Sequence, residues 1–325
     1  MNFDLTDDQR MLKDTLDRLV AAPVTAAGLD ELGLNMLPFA EEEGGLGLGP
    51  VEMMLVGEAF GRGLVAEPFL AGPVMAGTAL RIAPPSQARS SAIEALMSGE
   101  KRFALVLEPA LVLGGDVADL FVVIDDSGLS LVNADSVKRR GFRLHNGWGA
   151  ASVDLTGAAH VNLGAVSDVA ETATHAAIGW LSANAVGAMA AAFDLTADFL
   201  KTREQFGKPI GTNQALQHRV AEMLVELEAA RSMAIYATQA TGDPDPLERR
   251  RAFAAIKLVI NKSARFIGQQ VVQLHGGIGV AQEHDAGRYF KHLCAVELLF
   301  GDSDHHAEVL AKLDGFTPAA SHWEC

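Results

Sequence analysis

Asp302, Asp304, His305 and His306 stand within five residues, and carboxylates beside imidazoles are metal-ligand types. Adjacent histidines on a helix point in different directions, and no second cluster supplies the remaining ligands. A capped helix start, with acids favoured by the helix dipole, is the stronger reading. Glu222 and Glu226 share one helix face and could act as paired acids, although a solvated face is the simpler assignment. Gly45-x-Gly47-x-Gly49 neither follows a strand nor opens a helix with the right third glycine, so it is a loop and not a dinucleotide fingerprint. No Ser, Cys or His constellation suggests nucleophilic catalysis. His275 reads as a structural part of the turn at Gly276-Gly277. Arg203, taken alone at a helix end, is a surface charge.

The elements that must position these residues fall into three zones. Residues 1–101 read as an N-terminal helical domain. Thr6 and Gln9 make a capping box, with apolar positions following at Met11, Leu12, Leu16 and Leu19. Helices are predicted from about Val51 to Arg62 and over much of Pro68 to Arg81. Residues 102–165 form a reduced middle β domain: FALVLEP, DLFVVI and LSLVNAD are short aliphatic runs, Asp125 to Gly128 is a turn signal, and VDLTGAAHVNL reads as a last strand pair. Residues 166–325 read as a C-terminal four-helix bundle. There Gly207 and Pro209 end a helix through Phe199 to Arg203, and Leu216, Val220, Met223, Leu224 and Leu227 form a stripe of helical period on the next. Asp245-Pro246-Leu247-Glu248 starts a long helix that Gly276-Gly277 ends, and two shorter helices close the chain.

Composition narrows the functions available. The chain has 325 residues, is 49% hydrophobic and only 6% aromatic, so its core is built from small and aliphatic side chains. Its formal net charge of -15 repels a polyphosphate backbone, which argues against nucleic-acid binding. Cys294 and Cys325 give neither a disulfide framework nor paired metal-ligand spacing. The start of the chain lacks the basic-then-apolar pattern of a signal peptide, and the most apolar stretch, Gly179 to Leu200, carries Asn184 and Asp194 as a core helix would. The expectation is a cytoplasmic protein without a membrane span.

Two longer runs decide more. Arg203-Glu204-Gln205-Phe206-Gly207-Lys208-Pro209-Ile210 is followed by Gln217 and Ala221-Glu222-Met223, and Gln273-Leu274-His275-Gly276-Gly277-Ile278-Gly279 ends the later helix. Together with Phe3 to Gln9 and Glu43-Gly44-Gly45-Leu46-Gly47, they make the chain resemble the acyl-CoA dehydrogenases over nearly its whole length. The resemblance implies that family's fold: mostly α, an N-terminal helical domain, a middle β domain and a C-terminal helical bundle. It also implies FAD and the α,β-dehydrogenation of an acyl-CoA, with a carboxylate base in a dry site. In this family the FAD crosses a subunit interface, and a neighbour's Arg-x-x-Phe-Gly and Gln-x-x-Gly-Gly segments hold its pyrophosphate and adenosine end. Arg203, Phe206, Gly207, Gln273, Gly276 and Gly277 keep those positions. An Arg offers a planar fork to pyrophosphate, Phe206 a stacking face, and paired glycines close backbone approach.

Other positions depart from the pattern. Phe300 stands where the family carries its Glu base, ahead of Gly301-Asp302. Some members place the base on an earlier helix instead, and that position is Ala177, ten residues before Gly187. Glu297 is the nearest acid and a weak substitute. In the β domain, Leu107 precedes Glu108-Pro109 where a Thr is usual, the Gly-Ser-Asp loop is missing, and Leu111 and Leu113 align with a Trp-x-Thr pair of flavin contacts. The resemblance therefore implies a chain with no catalytic residue of its own, sharing FAD with a catalytic acyl-CoA dehydrogenase sister subunit in an α2β2-type assembly. Its further partners would be an acyl-CoA substrate and an electron-transfer flavoprotein or similar acceptor. GEAFGRGLVAEPF, residues 57–69, resembles the bacterial subgroup acting on steroid side-chain thioesters. A homomeric enzyme with a displaced base (Glu297, Asp302 or an ordered water) and a flavin-free assembly protein are the alternatives.

Overall fold

The structure, a computed structural model, describes residues 4–125, 128–281 and 284–315. Phe3, the turn residues Asp126 and Ser127, and Cys325 lie outside them. The chain forms two compact units, Met1–Ala188 and Met189–Cys325.

In the first unit, Thr6 caps α1 (Asp7–Leu19) in a capping box: the Gln9 N–H donates to Thr6 Oγ1 at 3.2 Å, and the Thr6 N–H to Gln9 Oε1 at 2.9 Å. After α2 (Ala26–Glu31), Pro50 opens α3 (Pro50–Arg62), and the Gln9 side chain ties the two N-termini by donating to Glu52 at 2.8 Å. The helix predicted over Pro68 to Arg81 begins differently. Pro73 has no N–H to give, and the chain runs as a wider π-helix over Leu70–Ala76 before α4 (Gly77–Ile82) and α5 (Gln87–Met97).

The strands divide into two sheets. β1 (Phe103–Val106), β3 (Leu120–Asp125), β4 (Gly128–Asn133) and β7 (His160–Gly164) lie in that order, with β1 and β3 parallel and the rest antiparallel. β2 (Val112–Leu113), β6 (Gly149–Asp154) and β5 (Lys138–Arg143) form the second, antiparallel sheet. Val106, Phe121, Val123 and Val132 from one sheet share a core cluster with Val112, Ala151 and Val153 from the other. VDLTGAAHVNL is thus not a strand pair, because β6 and β7 belong to different sheets. β5, read as KRRGFR, gave no strand signal because it is an exposed edge whose side chains face water.

α6 (Val169–Thr202) is long and apolar enough to cross a membrane, yet most of that stretch is buried inside the fold. Its alanines serve close packing. A Cβ on Gly61 of α3 would stand 1.7 Å from the Asn184 carbonyl oxygen, and one on Gly187 1.8 Å from that of Glu58. The backbones of α3 and α6 touch there.

In the second unit, the hairpin of β8 (Glu204–Gln205) and β9 (Lys208–Pro209) precedes α7 (Gln214–Ala240). Asp245 caps α8 (Pro246–His275) by accepting from the Leu247 N–H at 2.8 Å, with Pro246 at the first helical position. α9 (Asp285–Leu298) and α10 (Ser303–Leu313) pack on α8, as does α7. Of the predicted α7 stripe, Met223 and Leu227 are buried and continue through Ala230, Ala234 and Ala237. Leu224 lies a step round the helix and is exposed on this chain.

Gly61→Ala and Gly187→Ala should each lower the unfolding free energy by about 2 kcal/mol, since helix backbones in contact have nowhere to move. Urea denaturation of the two variants checks this, with Gly277→Ala, where φ is not positive and a Cβ would meet nothing within 4 Å, as the comparison.

Candidate functional site

α6 stops at Thr202, and Gly207 and Pro209 do not end it, contrary to the sequence reading; they belong to the hairpin beyond. Arg203 closes that hairpin: its N–H donates to Phe199 O and its carbonyl accepts from the Ile210 N–H, both at 2.8 Å. Glu204 pairs with Pro209 and Gln205 with Lys208, which leaves Phe206-Gly207 as a two-residue turn. Such a turn asks for positive φ at both central residues, and they have 55° and 76°. Glycine accepts this freely, while a phenylalanine gives up about 1–2 kcal/mol. The Phe206 side chain recovers none of it, being 100% exposed. No contact among the described residues accounts for an aromatic ring held there.

Gln273, Gly276 and Gly277 lie exposed at the end of α8. Gly276 has φ 64° and ψ −141°, which only glycine adopts readily, and a Cβ on either Gly276 or Gly277 would meet nothing within 4 Å. Their backbone faces open space. Gly279 differs, since a Cβ there would come within 2.9 Å of the His275 Cβ. His275 joins the two motifs. Its buried ring stacks on Phe199 with centroids 4.5 Å apart, one turn ahead of Arg203, and its Nδ1–H donates to Val271 O at 2.8 Å. Burial pushes its pKa down and keeps the ring neutral. The sequence reading of His275 as structural holds, and the stack brings Arg203 and Phe206 to the same end of the unit as Gln273 and Gly276. A planar cation, an aromatic face and unobstructed backbone suit a phosphate-bearing ligand with a flat ring.

The acids near Phe300 are occupied otherwise. Phe300 and Gly301 form a bend between α9 and α10 with φ 59° and 102°, and His306 donates to Phe300 O through Nε2 at 2.9 Å. Asp302 caps α10, accepting from the His305 N–H at 2.9 Å, as a helix start requires. Buried Glu297 is ion-paired with Arg265. Ala177 is fully buried on α6. Glu226 accepts from Ser263 at 2.9 Å and pairs with Lys262 at 3.0 Å, so it is not one of two free acids.

A family description, acyl-CoA dehydrogenase C-terminal domain, matches residues 168–313. Acyl-CoA dehydrogenase IpdE2 of Mycolicibacterium smegmatis is 30% identical over 313 residues, covering 88% of this chain and 92% of the relative. The chain belongs to the acyl-CoA dehydrogenase family. Its fold is likewise shared with the solved ChsE4-ChsE5 complex of Mycobacterium tuberculosis, at a TM-score of 0.85 and 23% identity over 98% of this chain and 100% of that one. A solved Tcur3481-Tcur3483 steroid ACAD variant gives a TM-score of 0.85 and 22% identity, covering 95% and 98%.

FAD is the cofactor of family members, and the two halves of this acyl-CoA dehydrogenase chain suit it unequally. The exposed Arg203, Phe206, Gln273 and Gly276-Gly277 fit its pyrophosphate and adenine. The positions aligned with flavin-ring contacts do not: Leu107 is half-buried, Leu111 exposed and Leu113 buried, and none can hydrogen-bond through its side chain. Beside Leu113 lies a cavity of about 190 Å³ whose lining includes Asp116, Trp148 and Trp180 but no Ser or Thr. Trp180 packs on Phe60 and Phe69, each at a centroid distance of 6.1 Å, and on Trp148 at 6.3 Å, while Phe60 and Phe69 meet at 5.4 Å. Sequence reasoning passed over these residues, and the presence of only three tryptophans in the chain was the available hint.

Two expectations follow. Phe206→Asn, which creates an Asn-Gly turn, should raise the unfolding free energy of the isolated chain by about 1 kcal/mol in urea denaturation. His292 and His306 are held down to about 4 by burial, so the unfolded chain binds more protons between that pH and about 6.5. The stability that these neutral imidazoles contribute is complete above this window and falls as pH drops through it, and in urea denaturation at pH 6.5 and 4.5 His306→Asn should lose less stability between the two than the natural chain.

Proposed function

We propose that this chain is the non-catalytic partner subunit of a heteromeric acyl-CoA dehydrogenase, completing the FAD site of a catalytic sister chain in an α2β2-type assembly. One observation carries the reading: Phe206 is held fully exposed on left-handed backbone, at the same end as an open Gly276-Gly277 backbone, and the resemblance to the family, which puts its base at Phe300 or Ala177, supports it. A strained and exposed aromatic is explained by a ligand that lies outside the chain presenting it. In the assembly, Arg203 would hold the pyrophosphate, Phe206 and Gln273 the adenosine end, and the turn glycines would admit close approach. FAD itself would supply the hydride acceptor. The sister chain would bring the carboxylate base and the ring site, and an acyl-CoA would be its substrate.

The ion pair of Glu297 with Arg265 and the capping role of Asp302 favour this reading over a homomeric enzyme with a displaced base. The names of the relatives extend it: a complex of two chains in one and a steroid ACAD in another suggest a bulky steroid-type thioester. An electron-transfer flavoprotein or similar acceptor and a cytoplasmic location complete the proposal.

Purified alone, the chain should be colourless, and co-expressed with its sister it should give a yellow, active complex. In that complex Arg203→Ala should weaken FAD retention by about ten- to a hundredfold, the loss expected for a charged hydrogen-bonded contact. Stoichiometric flavin with turnover from this chain alone would overturn the assignment.

A further inference from the structure

We infer that Lys257 is the positioning residue of the Phe300-Gly301 bend, so that the chain keeps the frame of the base-bearing loop and lacks only its carboxylate. The inference rests on reading Phe300 as the base position.

Lys257 lies in the middle of α8, wholly buried. Its ammonium donates to Val296 O at 2.9 Å, Glu297 O at 3.2 Å and Gly301 O at 3.2 Å, and also to Asn261 Oδ1. Val296 and Glu297 end α9, where carbonyls have no helical N–H left to accept from and where a cation is favoured. Asn261 adds a second donor to Gly301 O at 3.3 Å. From the other side, His306 donates to Phe300 O. The rings of His305 and His306 stand within 2.5 and 2.8 Å of where a Gly301 Cβ would be. Both carbonyls of the bend are therefore held by side chains, Phe300 O from α10 and Gly301 O from α8. A bulky residue in left-handed backbone persists only where its surroundings over-determine it, and these contacts do so.

The choice of lysine points the same way. Burial opposes the ammonium and pushes its pKa down to about 7, whereas a neutral side chain of similar volume would fill the space without that penalty. What a neutral side chain lacks is three donors that can reach two helix-end carbonyls and the bend at once. None of these contacts uses the side chain at position 300. The frame therefore does not depend on the phenyl ring of Phe300.

Hydrogen exchange, followed by mass spectrometry on the full chain, separates positioning from bulk stability. Lys257→Met should speed exchange in peptides spanning 297–303 by about tenfold or more while peptides of α7 keep their rates, because local opening is independent of global unfolding. Phe300→Glu should leave the bend as protected as in the natural chain. Should Lys257→Met fail to fold, Asn261→Leu gives the same local readout. Uniform acceleration along the chain, unchanged exchange at the bend, or a bend that opens on Phe300→Glu would overturn the inference. None of these readouts involves flavin or a partner, so the proposed assembly stands or falls separately.

Discussion

The ring of His275 lies on that of Phe199 at 4.5 Å, and what the chain can offer a ligand hangs from that contact. α6 ends at Thr202, one turn past Phe199, and α8 ends at His275, so the stack sets the Arg203 hairpin beside the Gly276-Gly277 turn. The Nδ1–H bond to Val271 fixes the ring on its own helix, and burial keeps it neutral. A charged imidazole in this place would have to be desolvated against an aromatic face without a counter-ion.

Strain is distributed unevenly across the second unit. Phe206 and Phe300 both carry positive φ, but their surroundings differ. Phe300 is clamped by donors to its own and the next carbonyl, so its conformation is enforced from within. Phe206 is enforced only by a two-residue hairpin, and its ring gains no contact in return. The first is held in place from within the unit, and the second faces outward on an exposed turn. That contrast separates a retained frame from an outward-facing site.

The two units differ in a parallel way. Where the family's ring contacts align, the first unit has aliphatic side chains beside an aromatic cluster of Phe60, Phe69, Trp148 and Trp180. Hydroxyls lost from a flavin edge leave that edge's polar atoms without partners, at a cost of about 1–3 kcal/mol each, and few such losses are needed to disfavour binding. The second unit instead presents Arg203, Phe206, Gln273 and the open Gly276-Gly277 backbone on its exposed surface.

The sequence by itself determined the family, the order of helical, β and helical segments, and the caps at Thr6, Asp245 and Asp302. These are local or linear properties: a cap needs only its next turn, and a motif only its spacing. The same reading missed β5, paired β6 with β7, and had Gly207 and Pro209 end a helix, since strand partnership and edge exposure are settled by distant segments. Only the tertiary structure decided that Glu297 is tied to Arg265, that Phe206 stands exposed on strained backbone, and that Lys257 lies buried under the Phe300 bend. Each depends on what packs against a residue from elsewhere in the chain, which spacing alone does not encode.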